Sequence, residues 1–527
     1  MKLRATYQAP DARRYRQAGG AWDVPALDSV MRQRAPGMGA VLVDGDLRFD
    51  GPQLERLVAG LAGGLRQLGV RRGDVVTWQI PNWWEALVLY RACWRCGAVA
   101  APLHHQFGAA EGAYMLNVLE PTVAFSSPVL PLSEREGTIA VRAGDSHDGR
   151  FERLLEGPPL RADPEGAAKA NRPADLAAVI FTSGSTGRPK AVLHTHRGLA
   201  YKARVMTGVH GLTQADAVLM PAPLAHISGL LNAVLVPGAA AMRTVLMDRW
   251  DTTRGLELIA RERISYMIGP PPLFTALMED ATFSPDKVDS MRVISSGMMG
   301  VTPEFIEAAS IGLGAIVKRS YGSTEAPTVS TCTNADSPER CRDTDGRAVG
   351  EAAIRIADPL TGRSRQAGRE GEVWIRGPEL FAGYADAEET AAAMHRGWFR
   401  SGDLGVLDDE GWLVITGRIK ELIIRAGENI SSSEVERTLE LHPGIRQAVV
   451  VGRPDDRLGE RVVAFIVGSG VGTIDVDECR RWFASHGVAR FKTPEFVVQI
   501  DEVPLLAAGK PDRAALKERA ATRSMAI

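Results

Sequence analysis

Phe181-Thr182-Ser183-Gly184-Ser185-Thr186-Gly187-Arg188-Pro189-Lys190-Ala191-Val192 is the stretch on which the reading of this chain turns. Four hydroxyl residues, two glycines and one lysine stand between Thr182 and Lys190. Glycine lets successive backbone N–H groups turn to one side. The hydroxyls add donors, and Lys190 adds a full positive charge. A polyphosphate is the ligand such a loop suits. It is not a Walker A loop, because Pro189 precedes the lysine and no hydroxyl follows it. The apolar run 177–181 reads as a strand feeding the loop, and 197–209 as the helix after it.

Working outward, strand and helix signals alternate. Residues 40–43 read as a strand followed by an Asp44-Gly45 turn, and 54–68 carry apolar residues at helical spacing. Residues 75–80 read as a strand closed by Pro81-Asn82, 83–96 as a helix and 98–103 as a strand. Such β-α repetition predicts mainly parallel sheets covered by helices. Residues 126–175 read as a connector with short elements, and 330–346 as an exposed loop. Beyond about 350 the texture changes to short β segments, at 353–356, 372–375 and 413–416. Helices at 433–441 and 476–485, with strands at 448–451 and 462–466, suffice for a small separate α+β domain.

The 527 residues exceed one ordinary core, so several subdomains are expected. Hydrophobic content of 45%, charged content of 24% and a net charge of -2 describe an ordinary globular protein with no basic field for nucleic acid. The N-terminus lacks the apolar run of a signal peptide. No stretch reaches the ~18 apolar residues of a spanning helix, and the apolar segment 230–242 reads as core. A cytoplasmic location is expected. Cys93 and Cys96 fall in an apolar helical stretch and read as small core residues rather than a redox or zinc pair.

Further motifs follow in order: Pro223-Leu224-Ala225-His226, Ser296-Gly297-Met298-Met299-Gly300, Tyr321-Gly322-Ser323-Thr324-Glu325, Trp398-Phe399-Arg400-Ser401-Gly402-Asp403, Gly417-Arg418-Ile419-Lys420-Glu421, Arg425-Ala426-Gly427-Glu428-Asn429 and Pro504 through Gly509-Lys510 to Arg513. With the opening loop they resemble, over nearly the whole chain, the adenylate-forming superfamily of acyl-CoA synthetases, luciferases and carrier-protein adenylation domains. The resemblance implies an α/β fold. A large N-terminal domain of β-α layered sheets with a β-rich subdomain would span 1–417. A hinge at 418–420 would join it to a small mobile α+β domain at 421–527.

It also implies site roles. Thr182, Ser183, Gly184, Ser185, Thr186, Gly187 and Lys190 would hold the β and γ phosphates of ATP. Tyr321 would stack on adenine, Asp403 would accept the ribose hydroxyls and Arg418 would reach ribose or phosphate. Glu325 and Thr186 would face Mg²⁺, which binds few carboxylates besides substrate phosphates. Thr324 would donate to the α phosphate, and Lys510 would be the adenylation lysine. His226, Gly297, Met298, Gly322 and Ser323 would line the acyl pocket, with His226 on the thiol route. Gly427 would meet the pantetheine arm of coenzyme A, and Lys420 would be the pivot.

Four departures from the family pattern stand out: Ala225 for an aromatic, Met298-Met299 for Ala-Pro, Ser401 for Thr, and Leu506-Ala507-Ala508 for Thr-x-Thr. The implied activity is an ATP-dependent acid–CoA ligase. The stretches Pro81-Asn82-Trp83-Trp84-Glu85 and Arg319 to Pro327 look like the cyclohexanecarboxylate–CoA ligase subgroup, with medium-chain and branched fatty acids as rivals. A stand-alone enzyme that loads a carrier protein is the alternative, and no carrier domain is encoded after Lys510. A catalytically silent nucleotide-binding relative is disfavoured by the intact Lys190, Glu325, Asp403, Arg418 and Lys510. The expected partners are a small carboxylic acid and coenzyme A, with no nucleic acid and no integral membrane segment; a homodimer is compatible with the sequence.

Overall fold

The structure, a computed structural model, describes residues 3–31, 39–142, 149–160, 172–182, 189–297, 301–425, 428–470, 474–506 and 510–522. The chain forms two compact units, one of Met1–Ile354 with Ile375–Phe399, the other of Arg355–Trp374 with Arg400–Ile527.

The first unit holds two large sheets. In the nine-stranded sheet the order is Arg347–Ala348, Ser330–Thr331, Ile316–Tyr321, Val293–Ser296, Tyr266–Gly269, Ala217–Met220, Arg243–Leu246, Leu42–Asp44, Leu47–Phe49. From Ile316–Tyr321 to Leu42–Asp44 every neighbouring pair is parallel. In the six-stranded sheet the order is Ile139–Ala140, Val123–Ser126, Val75–Gln79, Val99–Pro102, Leu176–Thr182, Lys190–Thr195, with only the last strand antiparallel. All five residues of Val75–Gln79 are buried, as a central parallel strand covered on both faces requires.

Helices Gly51–Gln67, Trp84–Cys96 and His196–Val209 contribute to one buried cluster with side chains from both sheets, so they form the shared layer between them. Gly51–Gln67 starts ahead of the apolar spacing that begins at 54, at a cap made by Asp50. Gln53 N donates to Asp50 Oδ1 at 2.7 Å while Asp50 N donates to Gln53 Oε1 at 2.8 Å, a reciprocal cap. Trp84–Cys96 ends at Gly97, whose φ of 78° suits a residue without Cβ. Cys93 and Cys96 are fully buried in this layer, and burial pushes the Cys96 thiol up to about 11. The segment read as core, 230–242, is buried as Leu230–Leu235 and Val236–Ala240, the first of them a π-helix.

Two readings need correction. Residues 190–195 were not read as a strand, yet Lys190–Thr195 pairs antiparallel with Leu176–Thr182, and Thr182 opposite Lys190 closes the hairpin. Its Ala191-Val192-Leu193 run is short and was absorbed into the loop-to-helix reading. Residues 330–346 are not an exposed loop. Ser330–Thr331 pairs with Ser320 and Tyr321, Pro338–Asp343 is helical, and Cys332 and Cys341 are buried. Several polar side chains there bond to the backbone; Thr333 N, for instance, donates to Asp336 Oδ2 at 2.7 Å, and Thr331 Oγ1 donates to Arg319 O at 2.6 Å.

The second unit holds Leu413–Arg418 and most of the strands Gly371–Arg376 and Trp398–Leu407, and the three lie side by side. A second sheet runs Glu428–Ser431, Leu422–Arg425, Gly459–Gly468, Ile445–Asp455, with Phe496–Gln499 parallel to Gly459–Gly468. Helices Ser432–Glu440 and Val476–Ser485 pack on one face of it and Arg513–Thr522 on the other. Among the described residues no helix is long and apolar enough to cross a membrane.

Candidate active site

Ligands of parallel α/β sheets gather outside the carboxyl ends of the strands. In the nine-stranded sheet, Ile316–Tyr321 delivers Tyr321 to that edge, Val293–Ser296 delivers Gly297, and Ala217–Met220 leads into 221–226 and His226. In the six-stranded sheet, Leu176–Thr182 leads towards the phosphate-type loop, and Thr182 is paired with Lys190. Ser183, Gly184, Ser185, Thr186 and Gly187 lie outside the described residues, as do Met298 and Gly427.

The turn after Tyr321 is tightly built. Ser323 N donates to Ala326 O at 3.0 Å, and Ala326 N donates to Ser323 Oγ at 3.2 Å. A Cβ on Gly322 would stand 2.3 Å from Thr328 N, so only glycine fits. Thr328 itself has a φ of 36°. Its carbonyl accepts from Lys202 Nζ at 3.0 Å, and Lys202, wholly buried, pairs with the equally buried Glu379 at 3.0 Å. Thr324 is buried, and the ring of His194 hydrogen-bonds its backbone. Burial holds that imidazole neutral, down to about 4.

His226 caps the helix that follows it, accepting from Ser228 N at 3.4 Å through Nδ1. Two histidines that the sequence reading passed over lie near it. His104, just beyond Val99–Pro102, stacks on His105 with ring centroids 4.7 Å apart. Burial first, then the charges of His105 and His226, pushes His104 down to about 3. Asn82 ties the two strand edges together: its Nδ2 donates to Ala222 O at 2.7 Å and its Oδ1 accepts from Leu224 N at 2.8 Å.

Glu325 and Lys190 come from different sheets, and Tyr384 joins them. Tyr384 Oη donates to Glu325 Oε1 at 2.7 Å. Lys190 Nζ lies 4.9 Å from the centre of the Tyr384 ring and 3.1 Å from Glu389 Oε1. The segment bearing these residues is anchored by backbone bonds from Phe381 N to Glu325 O and from Ala382 N to Leu193 O, at 2.8 and 2.6 Å. Sequence reasoning missed Tyr384 and Glu389. The only signal was local: Gly383 before the tyrosine and the capping Asp386 before Glu388-Glu389. A carboxylate held at one oxygen and a lysine, both on one tyrosine, is a donor set suited to a magnesium polyphosphate. Among the described residues no group of three or more His, Cys, Asp or Glu could hold a metal unaided. Magnesium would therefore depend on phosphate oxygens for most of its shell, as it ordinarily does.

The second unit brings Asp403 and Arg418 together. They are direct cross-strand partners, with Arg418 Nε 2.8 Å from Asp403 Oδ1. Asp403 is buried while Arg418 is half exposed. Gly402, at φ 75°, makes the kink that turns Asp403, and Ser401 secures it: Ser401 Oγ donates to Val373 O at 2.6 Å and accepts from Asp403 N at 3.0 Å. The Ser401 departure thus keeps the hydroxyl on which this turn depends. Lys420 lies exposed in the short helix Ile419–Glu421. Lys510 sits in a turn whose ends are pinned by Leu506 N to Lys510 O and Asp512 N to Pro504 O, both 2.7 Å. Arg513 anchors that turn with paired bonds to Glu436 of 2.6 and 2.9 Å.

Comparison with known proteins gives the family. Residues 31–385 match the family model of the AMP-binding enzymes, and 434–510 match that of their C-terminal domain. The chain belongs to the AMP-binding, adenylate-forming enzyme family. It is 32% identical to a medium-chain fatty-acid–CoA ligase of Escherichia coli, covering 98% of this chain and 94% of that protein. It is 31% identical to an indoleacetate–CoA ligase of Aromatoleum aromaticum, over 87% of this chain and 90% of the other. Among solved structures, ATP-bound MatB from Rhodopseudomonas palustris superposes with a TM-score of 0.86 at 26% identity, covering 94% of this chain and 98% of that one.

Proposed function

We propose that this enzyme is an ATP-dependent acid–CoA ligase that forms an acyl-adenylate and then an acyl-CoA from a largely apolar carboxylic acid. The observation that carries the reading is the convergence of Glu325 and Lys190, which belong to separate motifs, on the single side chain of Tyr384. The near full-length relatives named as CoA ligases support the same class.

The first step joins two anions, a carboxylate oxygen and the α phosphorus of ATP, with pyrophosphate leaving. Fixed cations must offset that repulsion. Lys510 serves the reacting α phosphate, and Lys190 with the N–H groups of 183–188 serves the leaving pyrophosphate. Thr324 donates to the α phosphate, and Asp403 and Arg418 hold the ribose. Glu325 and Thr186 would hold magnesium, which would supply charge neutralisation on the phosphates. In the second step the coenzyme A thiol loses its proton, its sulfur attacks the acyl carbon, and the bond to AMP oxygen breaks. Residues 421–527 turn about the hinge at 418–420, pivoting on Lys420, which exchanges Lys510 for the Gly427 segment beside the acyl group. Tyr321 stacks on adenine throughout. His226, Gly297, Met298, Gly322 and Ser323 line the acyl pocket. No cationic residue occurs in 296–300 or 321–327, which favours an uncharged tail such as cyclohexanecarboxylate or a medium-chain or branched fatty acid.

Mass spectrometry of products tests the reading. The protein is given ATP, magnesium and carboxylic acids from short to long chain, with cyclohexanecarboxylate and benzoate, in the presence and absence of coenzyme A. Acyl-CoA with AMP is expected, and the best acid sizes the pocket. Acyl-adenylate that never becomes a thioester would favour a carrier protein as acceptor.

A further inference from the structure

We propose that Tyr384 and Glu389 are positioning residues for the metal–polyphosphate end of the site: Tyr384 orients Glu325, and Glu389 holds Lys190 until a polyphosphate displaces it. The inference rests on the ligase reading and deepens it.

The argument starts from the backbone. Phe381 N to Glu325 O ties this segment to the turn after Tyr321, and Ala382 N to Leu193 O, Leu193 N to Gly383 O and Ala385 N to Ala191 O fasten it to the strand that begins with Lys190. Tyr384 N donates to Thr390 Oγ1 at 2.8 Å, and Thr390 Oγ1 donates to Asp386 O at 2.9 Å. Tyr384, only 5% exposed, therefore has little freedom, and neither does its hydroxyl. A bond of 2.7 Å from that hydroxyl holds Glu325 Oε1 and so fixes the orientation of the carboxylate.

Lys190 meets two partners of different kinds. The ring of Tyr384 attracts an ammonium through its face and holds the side chain extended. Glu389 supplies the counter-charge at 3.1 Å, with Lys190 and Glu389 exposed by 23% and 34%. An ion pair at such exposure is weak. A triphosphate, carrying several charges, displaces one carboxylate readily. The pair thus keeps Lys190 extended and competes modestly with nucleotide.

The test measures equilibrium binding of a non-hydrolysable ATP analogue by calorimetry, with magnesium varied, on the full-length protein. Tyr384→Phe keeps the ring and removes the hydroxyl. It is expected to raise the magnesium concentration for half-maximal binding about tenfold, the loss of a hydrogen bond to a charged group, while metal-free affinity for the analogue stays unchanged. Glu389→Gln, at a partly exposed position that does not endanger folding, is expected to tighten binding about two- to fivefold at low salt and less at high salt. A Tyr384→Phe protein with the magnesium dependence of the parent, or a Glu389→Gln protein that binds no tighter, overturns the corresponding assignment. If the parent protein fails to bind the analogue at all, the ligase reading falls and takes this inference with it.

Discussion

Lys510 is half-buried in a turn closed by bonds on both sides of it, and Arg513 locks that turn to Glu436. A lysine mounted this way can be removed without unfolding its surroundings. Lys510→Ala is expected to lower acyl-adenylate formation by about a thousandfold, the scale of losing a preorganised charge at a reacting centre. Thioester formation from supplied acyl-adenylate should be nearly unaffected, and separate assays of the two half-reactions check this. Gly322 is the opposite case. A Cβ there would lie 2.3 Å from Thr328 N, against backbone that Lys202 also holds. Gly322→Ala is therefore expected to cost about 2 kcal/mol or more of stability, read from the denaturant midpoint. The motif residues were legible because their types are unusual: a run of glycine, hydroxyl and lysine, or Tyr-Gly-x-Thr-Glu. Tyr384, Glu389 and His104 were not. Single residues of ordinary type acquire a role only when distant segments meet, as Tyr384 does with Glu325, 59 positions away.

Elements were read best where periodicity was long. Gly51–Gln67, Trp84–Cys96 and Val476–Ser485 lie where the apolar spacing put them, within a few residues at each end. The strand Lys190–Thr195 was missed because it is short and sits between a glycine-rich loop and a helix. Its pairing sets Thr182 opposite Lys190. The helix that follows is capped by Thr195 Oγ1, which accepts from Gly198 N at 3.2 Å. Thr195→Ala is expected to cost about 1 kcal/mol, with Thr195→Ser restoring most of it in the same thermal measurement. In 330–346 polarity was mistaken for exposure. The chain instead spends its polar side chains on turns and capping, as when Ser337 caps Pro338–Asp343 by accepting from Arg340 N.

At the scale of the whole molecule, buried histidines tie stability to pH. His194 and His196 are fully buried, and burial pushes each down to about 4; His210 is pushed well below its usual value for the same reason. In the unfolded chain each would protonate near 6.5. Between those values the unfolded state binds more protons, so stability rises with pH and is lost as pH falls from about 6.5 towards about 4. Each of the first two contributes up to about 3 kcal/mol over that window. The thermal midpoint should drop steeply on acidification through it, and a flat profile would contradict the neutral burial of these rings. Fold class was legible at this scale because β-α repetition constrains sheet type, whereas the pairing order of nine strands is set by contacts that no local pattern encodes. The central claim, carboxylate attack on the α phosphorus followed by thiol attack on carbon, is tested most directly by isotope transfer. The acid is supplied with both carboxylate oxygens as ¹⁸O, together with ATP, magnesium and coenzyme A, and the products are weighed by mass spectrometry. The account predicts AMP carrying one ¹⁸O and acyl-CoA retaining the other. Label in inorganic phosphate, with ADP as the nucleotide product, would contradict it.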